Sequence, residues 1–163
     1  MASAVDHPLF ARFESTLAKL ELRGGGDKQW RELFDAMSGR VVDGLADSLP
    51  AEDASFDVAV TGRVLCSVPE QAAALAEIRR VLKPGGELRF YEHVVASKAP
   101  LAAAQRGADR VFWTRAMGGC HTSRDTVAEM ARAGFEIERC RRFSNPPAMF
   151  AAPFVIGLAR VPG

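Results

Sequence analysis

The sequence predicts an α/β protein: a mostly parallel sheet flanked by helices, with an antiparallel hairpin at its C-terminal edge. Three observations carry this. Helical and strand periodicities alternate along residues 56–94, the order that places a parallel sheet between helices. Residues 56–61 (FDVAVT) are short, apolar and β-branched, as befits a strand buried on both faces. Residues 135–143 and 154–161 read as two more strands, with the turn-forming Asn145-Pro146-Pro147 between them and no helix, which suits a hairpin.

Taken in chain order, residues 10–22 predict a helix with Phe13, Leu17 and Leu20 near one face. Arg23-Gly24-Gly25-Gly26-Asp27 breaks it. Trp30, Leu33, Phe34 and Met37 then recur at helical spacing up to Ser38-Gly39. The triple glycine is a linker, because a glycine loop that cradles a nucleotide follows a strand and nothing before Gly24 reads as one. Residues 1–38 thus form an N-terminal helical segment and residues 39–163 the α/β domain, together one compact unit. Val41-Val42 is a stub of strand. Ser67-Val68-Pro69-Glu70 matches a capping box with proline in the first turn. Ala74, Leu75, Ile78, Val81 and Leu82 follow at helical spacing. Lys83-Pro84-Gly85-Gly86 should end that helix and turn the chain into a strand over residues 88–94. Residues 100–117 predict one or two helices containing Phe112 and Trp113. Thr122-Ser123-Arg124-Asp125 matches a second capping box, opening a helix through Val127 and Met130 that stops at Gly134.

Bulk properties narrow the function. At 163 residues the chain is one domain by length, and 21 basic against 20 acidic residues give a net charge of +1. That balance argues against nucleic acid or an anionic membrane as partner, since both require clustered positive charge. Arg139, Arg141 and Arg142 are the densest basic patch and read as a solvated strand face. The N-terminus lacks the basic and apolar blocks of a secretory signal. Residues 148–159 are too few to span a bilayer and are interrupted by Pro153. Cys66, Cys120 and Cys140 are odd in number and widely spaced, as reduced thiols in a cytoplasmic protein would be.

Three motifs then fall in one order: LCSVP at residues 65–69, LKPGG at 82–86 and EHV at 92–94. Together they resemble the class I S-adenosylmethionine (SAM)-dependent methyltransferases. The likeness is to the small-molecule, methyltransferase type 11-like branch that ends its fourth strand in LCSVP and its fifth in EHV. The resemblance covers residues 39–161. It implies a Rossmann-like sheet, SAM as cofactor and a small-molecule acceptor, a thiol or another soft nucleophile. It also implies that Asp43, Gly44, Leu45 and Ala46 lie beside the adenine. Thr61, Gly62 and Leu65 would line the methionine end of the cofactor. Leu65 and Val68 also read as anchors for the following helix. Arg63, where relatives carry an uncharged residue, should point to the surface, away from a sulfonium.

His93 is the candidate catalytic base, because histidine titrates near neutral pH. Glu92, Cys120 and His121 are candidate substrate contacts. For Glu92, His93 and His121 the alternative is a purely structural role in holding neighbouring loops. No metal is expected: Cys66, His93, Cys120 and His121 share one rim, but no C-x-x-C or H-x-x-x-H spacing joins them.

Two elements of the family pattern lack a counterpart: the Gly-rich turn after the first strand and the acid ending the second, which holds the ribose. Ser38-Gly39-Arg40-Val41-Val42 looks like the start of the first strand, yet it runs directly into Asp43-Gly44-Leu45-Ala46. The domain therefore reads as truncated. Losing two hydrogen bonds to a charged group, ~1.5–3 kcal/mol each, would cost about two to four decades of cofactor affinity. A missing first strand would also bare one edge of residues 56–61 and invite a homodimer through it. Three readings follow: an active SAM-dependent methyltransferase, a catalytically inactive methyltransferase-like module that binds a ligand or protein partner, or an incomplete gene product.

Overall fold

A computed structural model describes residues 26–35, 45–144 and 153–163. The expected helix over residues 10–22, Gly24-Gly25, the end of the second helix at Ser38-Gly39, the stub Val41-Val42 and the turn Asn145-Pro146-Pro147 lie outside the described residues. Helix α1 (Gly26–Phe34) begins on the last glycine of the triplet and buries Leu33. Strand β1 (Phe56–Gly62) is followed by α2 (Gln71–Val81) and β2 (Leu82–His93). Helix α3 (Ala99–Ala108) continues into a π-helical turn (Asp109–Trp113) and the short α4 (Thr114–Ala116). Helix α5 (Thr126–Arg132), β3 (Glu136–Phe143) and β4 (Phe154–Arg160) complete the described fold.

The four strands form one mixed sheet in the order β1-β2-β4-β3. β1 and β2 run parallel through the α2 crossover, while β4 is antiparallel to both β2 and β3. The expected closing hairpin is present at one edge, and β1 is the other edge among the described strands. The parallel pairing matters most here, because it brings the C-terminal ends of β1 and β2 to the same side of the sheet.

Apolar periodicity accounts for the core. Ala74, Leu75, Ile78 and Val81 form the buried face of α2, and the first three pack with Leu88, Phe90, Met130, Phe135 and Ala159. On the opposite face Leu33, Tyr91, Phe154 and Ile156 form a smaller cluster, in which Tyr91 and Phe154 stack at 5.1 Å. Gly157, central in β4, admits no side chain: a Cβ there would lie 2.0 Å from the Arg139 carbonyl oxygen and 2.7 Å from the Phe90 ring. The Arg139, Arg141 and Arg142 face of β3 is exposed, with Arg141 paired to Glu32 at 2.7 Å.

Local expectations fail at three points. Helix α2 starts at Gln71 with Glu70 at the cap and no side-chain capping bond. The Ser67 amide instead donates to the Val64 carbonyl, so Ser67 to Pro69 belong to a turn before the helix. Helix α5 is capped by Asp125, whose carboxylate accepts from the Ala128 amide, three residues later than the Thr122 box predicts. Lys83-Pro84-Gly85-Gly86 does end α2, but the chain is already in β2. Phe56 pairs with Leu82 and Val58 with Glu87, so these four residues form a bulge opposite Asp57. Gly85 has φ +76° there, and Lys83 pairs with Asp57 at 2.8 Å.

Candidate functional site

The loops after β1 and β2 meet the segment before α5 at one rim of the sheet, and buried polar side chains hold all three. Loops at strand ends carry backbone N–H groups that no ladder satisfies. Glu92, fully buried near the end of β2, answers those of the first loop. Its Oε1 accepts from the amides of Val64 and Leu65, each at 3.1 Å, and its Oε2 from that of Cys66 at 3.3 Å. Burial pushes this carboxyl above the usual range, and the three amides pull it back only in part.

Asp109, in the π-helical turn, does the same for the segment before α5. Its carboxylate accepts from the Thr122 amide (3.1 Å), the Thr122 hydroxyl (3.0 Å) and the Ser123 amide (2.9 Å). Gln105, one helical turn earlier, accepts from the Ala96 amide and donates to the Val94 and Thr122 carbonyls. Arg124 ties the loops together by donating to the carbonyls of Leu65, Cys66, Val68 and Pro69. The His121 amide donates to the Cys66 carbonyl at 2.8 Å. Gly119, at φ +90°, allows the close approach, since a Cβ would sit 3.0 Å from the Ser67 carbonyl oxygen.

This scaffold places three reactive side chains together. Cys66 Sγ and Cys120 Sγ are each 3.6 Å from His93 Nδ1 and 3.7 Å from each other. Both cysteines are buried and His93 is half-buried. The His93 ring packs against Phe154 with centroids 4.2 Å apart. The Cys66 thiol is pushed well up, first by its hydrogen bond to Cys120 and then by burial, against a smaller pull from His93. Cys120 is pulled down, first by that same bond and further by the Trp113 indole, against burial. Their mutual contact thus pushes the two thiols in opposite directions, Cys66 up and Cys120 down.

The remaining expected site residues fall as follows. Thr61, near the end of β1, is buried, and its hydroxyl has no hydrogen-bond partner of ordinary geometry. Gly62 ends the strand, and Leu65 is fully buried in the main core. Leu45 is exposed, while Ala46 packs on the core. Asp43 and Gly44 lie outside the described residues. Arg63, expected at the surface, is half-buried with φ +60°, and its amide donates to the Tyr91 carbonyl. His121 stands apart from the cluster: its Nδ1 is 3.4 Å from the Thr114 hydroxyl. Burial and then the Arg124 charge lower its pKa. Asp109, Gln105 and Arg124 escape the motif reading. The signal available for the first two is a pair of polar residues four apart on one helix face.

Comparison with known proteins places this geometry. Residues 7–90 match the family described as a methyltransferase domain. The mouse thiol S-methyltransferase TMT1B is 36% identical over 109 residues, covering 66% of this chain and 44% of that protein. The human thiol S-methyltransferase TMT1A is 32% identical over 108 residues, with the same coverage. The chain thus spans less than half the length of these curated relatives. A SAM-dependent methyltransferase structure from Methanosarcina mazei superposes with a TM-score of 0.57 at 22% identity, covering 78% of this chain and 70% of that one. The [4+2]-cyclase SpnF does so at 0.56 and 22%, covering 85% and 60%. At such identities the likeness shows the fold, which by itself does not fix a reaction. The motif order, the Rossmann-like sheet and the family match agree: this chain belongs to the class I SAM-dependent methyltransferases.

Proposed function

We propose that this chain transfers the methyl group of SAM to a small-molecule thiol. The observation that carries this reading is the gathering of Cys66, Cys120 and His93 where β1 and β2 end, the side on which open α/β sheets bind ligands. A rim of polarisable sulfur with one imidazole suits a soft nucleophile. The resemblance to thiol S-methyltransferases over 109 residues supports the same acceptor class.

The family implies SAM, and Thr61 lies where open α/β sheets bind ligands. Its hydroxyl is buried near the C-terminal end of β1, beside Gly62 and within reach of the Glu92 carboxyl. Thr61, Gly62 and Leu65 would hold the methionine end, with Asp43, Gly44, Leu45 and Ala46 toward the adenine. When bound, the cofactor supplies an electrophilic methyl group on a sulfonium. The protein's own contribution is to hold the acceptor sulfur in line with it and to remove its proton, since the thiolate is the nucleophile. His93 is the proton acceptor. Its Nδ1 faces the two cysteines, which leaves Nε2 to take the proton. Glu92 and Asp109 are positioning residues that fix the loops carrying Cys66 and Cys120. Among the described residues no helix is long and apolar enough to cross a membrane, and the free thiols suit a reducing cytoplasm.

The test has two arms. Calorimetric titration with SAM or S-adenosylhomocysteine should give saturable binding between micromolar and millimolar ligand, according to how much of the cofactor affinity is lost. Incubation with SAM and a small alkyl thiol should yield the thioether, with His93→Ala slowing turnover by about 10²–10⁴-fold. Heat indistinguishable from buffer at millimolar ligand would overturn the reading and leave a ligand-binding module without catalysis. Unchanged turnover in the variant would remove His93 from the chemistry.

A further inference from the structure

The structure assigns Cys66, His93 and Cys120 as a three-ligand site for a thiophilic d10 cation of the zinc(II) class. The argument is geometric. Zinc bonds of about 2.3 Å to sulfur and about 2.0–2.1 Å to nitrogen, at tetrahedral angles, place two sulfurs roughly 3.8 Å apart and each sulfur roughly 3.6 Å from the nitrogen. The observed separations are 3.7 Å between the sulfurs and 3.6 Å from each sulfur to His93 Nδ1. The three ligand atoms already stand at the corners of one face of a zinc tetrahedron. Two cysteines and one histidine are a known ligand set for catalytic zinc, whose fourth position stays open.

The ligands are also held independently of one another. Glu92 and Arg124 fix the backbone of Cys66, and Asp109 fixes the segment just after Cys120. Phe154 packs against the His93 ring, and the Thr126 hydroxyl donates to the His93 carbonyl. Such outer contacts orient metal ligands and raise affinity. Charge balance is favourable as well, because two thiolates offset a divalent cation. Binding would take the proton from each cysteine that still carries one and release it to solvent.

This site uses the same three side chains that carry the methyl-transfer reading, but binding the cation needs neither SAM nor an acceptor. The two roles compete at His93. With the metal on Nδ1 the ring no longer accepts a proton. A thiol entering the open fourth position would lose its proton by coordination instead.

The experiment uses the full chain, reduced and stripped with a chelator, then titrated with zinc(II) alone and in parallel with cobalt(II). One zinc per chain is expected. The cobalt form should show the sulfur-to-metal charge-transfer band of thiolate ligation together with the intense visible bands of a tetrahedral site. Cys66→Ser, Cys120→Ser and His93→Ala should each weaken zinc by more than the ~10–100-fold typical of outer-shell changes. Cys140→Ser, at an exposed position outside the cluster, should leave it unchanged. In the unaltered chain, zinc should also protect two of the three thiols from alkylation, a readout that does not depend on any variant folding. Substoichiometric zinc, a cobalt spectrum without the thiolate band, or three thiols alkylated equally fast with and without zinc would each overturn the assignment. Zinc bound without methyl transfer leaves this site standing and rejects the proposed reaction. Methyl transfer without zinc does the reverse.

Discussion

Replacing Asp109 with asparagine tests whether one buried carboxylate holds the segment that delivers Cys120. The substitution keeps volume and shape, so no cavity forms and the effect isolates hydrogen bonding. The carboxylate accepts three bonds: two at Oδ1 from Thr122 and one at Oδ2 from the Ser123 amide. Asparagine offers one acceptor oxygen and one NH2 group. If the oxygen faces Thr122, the NH2 group confronts the Ser123 amide. If it is flipped, the NH2 group confronts the Thr122 amide. Either way one backbone N–H loses a charged partner in a site only 9% exposed. A hydrogen bond to a charged group contributes about 1.5–3 kcal/mol, so Asp109→Asn should lose about that much stability. In urea the midpoint should fall with an unchanged slope, because the surface exposed on unfolding is the same. Under native conditions Cys120 should become alkylated faster, since its segment opens locally at lower cost. A stability change below about 0.5 kcal/mol, the usual scatter of surface substitutions, together with unaltered Cys120 labelling, would refute this account of the rim.

Three further outcomes follow from the geometry. Gly119→Ala should cost ~1–2 kcal/mol for the left-handed backbone alone and push the Cys120 segment off the Ser67 carbonyl, which thermal melts and a loss of zinc-dependent thiol protection would register. Asp125→Ala should cost about 0.5–2 kcal/mol as the loss of a helix cap, whereas Ser67→Ala, at the position sequence alone would choose as a cap, should stay within about 0.5 kcal/mol; equal losses would return Ser67 to the capping role. Glu77 tests pH dependence. Its carboxyl is held at about 2, first by Arg80 and then by the Leu49 amide, below the ordinary 4.5. A depressed carboxyl lends stability above its unfolded value and loses it as pH falls toward its folded one. Glu77→Gln should therefore flatten the decline in melting temperature between pH 4.5 and 2, and a decline as steep as that of the unaltered chain would reject the pairing.

The strands were legible because their physics is local. The segment Phe56 to Thr61, apolar or β-branched apart from Asp57, forms β1 as expected. Only Thr61 in it is buried and Asp57 is exposed, so the described residues do not cover the strand on both faces. The caps were less legible, because a capping residue is chosen by what its side chain is free to do. Thr122 has the right type and spacing for the second box, but its hydroxyl is spent on Asp109, and Asp125 takes the cap. The Lys83-Pro84-Gly85-Gly86 run shows the same limit. Its turn chemistry is real, yet the Lys83 to Asp57 pairing and the parallel register absorb it as a bulge inside β2.

The site divides along the same line. Cys66, His93 and Cys120 could each be singled out, but their separations in sequence are 27 and 54 residues. No spacing rule spans such distances, and a search for C-x-x-C or H-x-x-x-H must pass over them. What joins them is topology: the parallel β1-β2 pair puts both strand ends on one rim, and the antiparallel β4 packs Phe154 against the His93 ring. A usable signal nevertheless lies in the sequence beside each ligand. Glu92 follows the aromatic pair Phe90-Tyr91 in a buried stretch one residue before His93, and Gln105 and Asp109 recur four apart on a helix that should bury that face. An apolar residue at any of these positions would pack as well, but the loop amides it left behind would go unpaired at about 1–3 kcal/mol each. A buried acid or amide at the end of a strand or on a buried helix face therefore marks backbone that must be held in a non-repetitive shape. Here that backbone is the part that carries the cysteines.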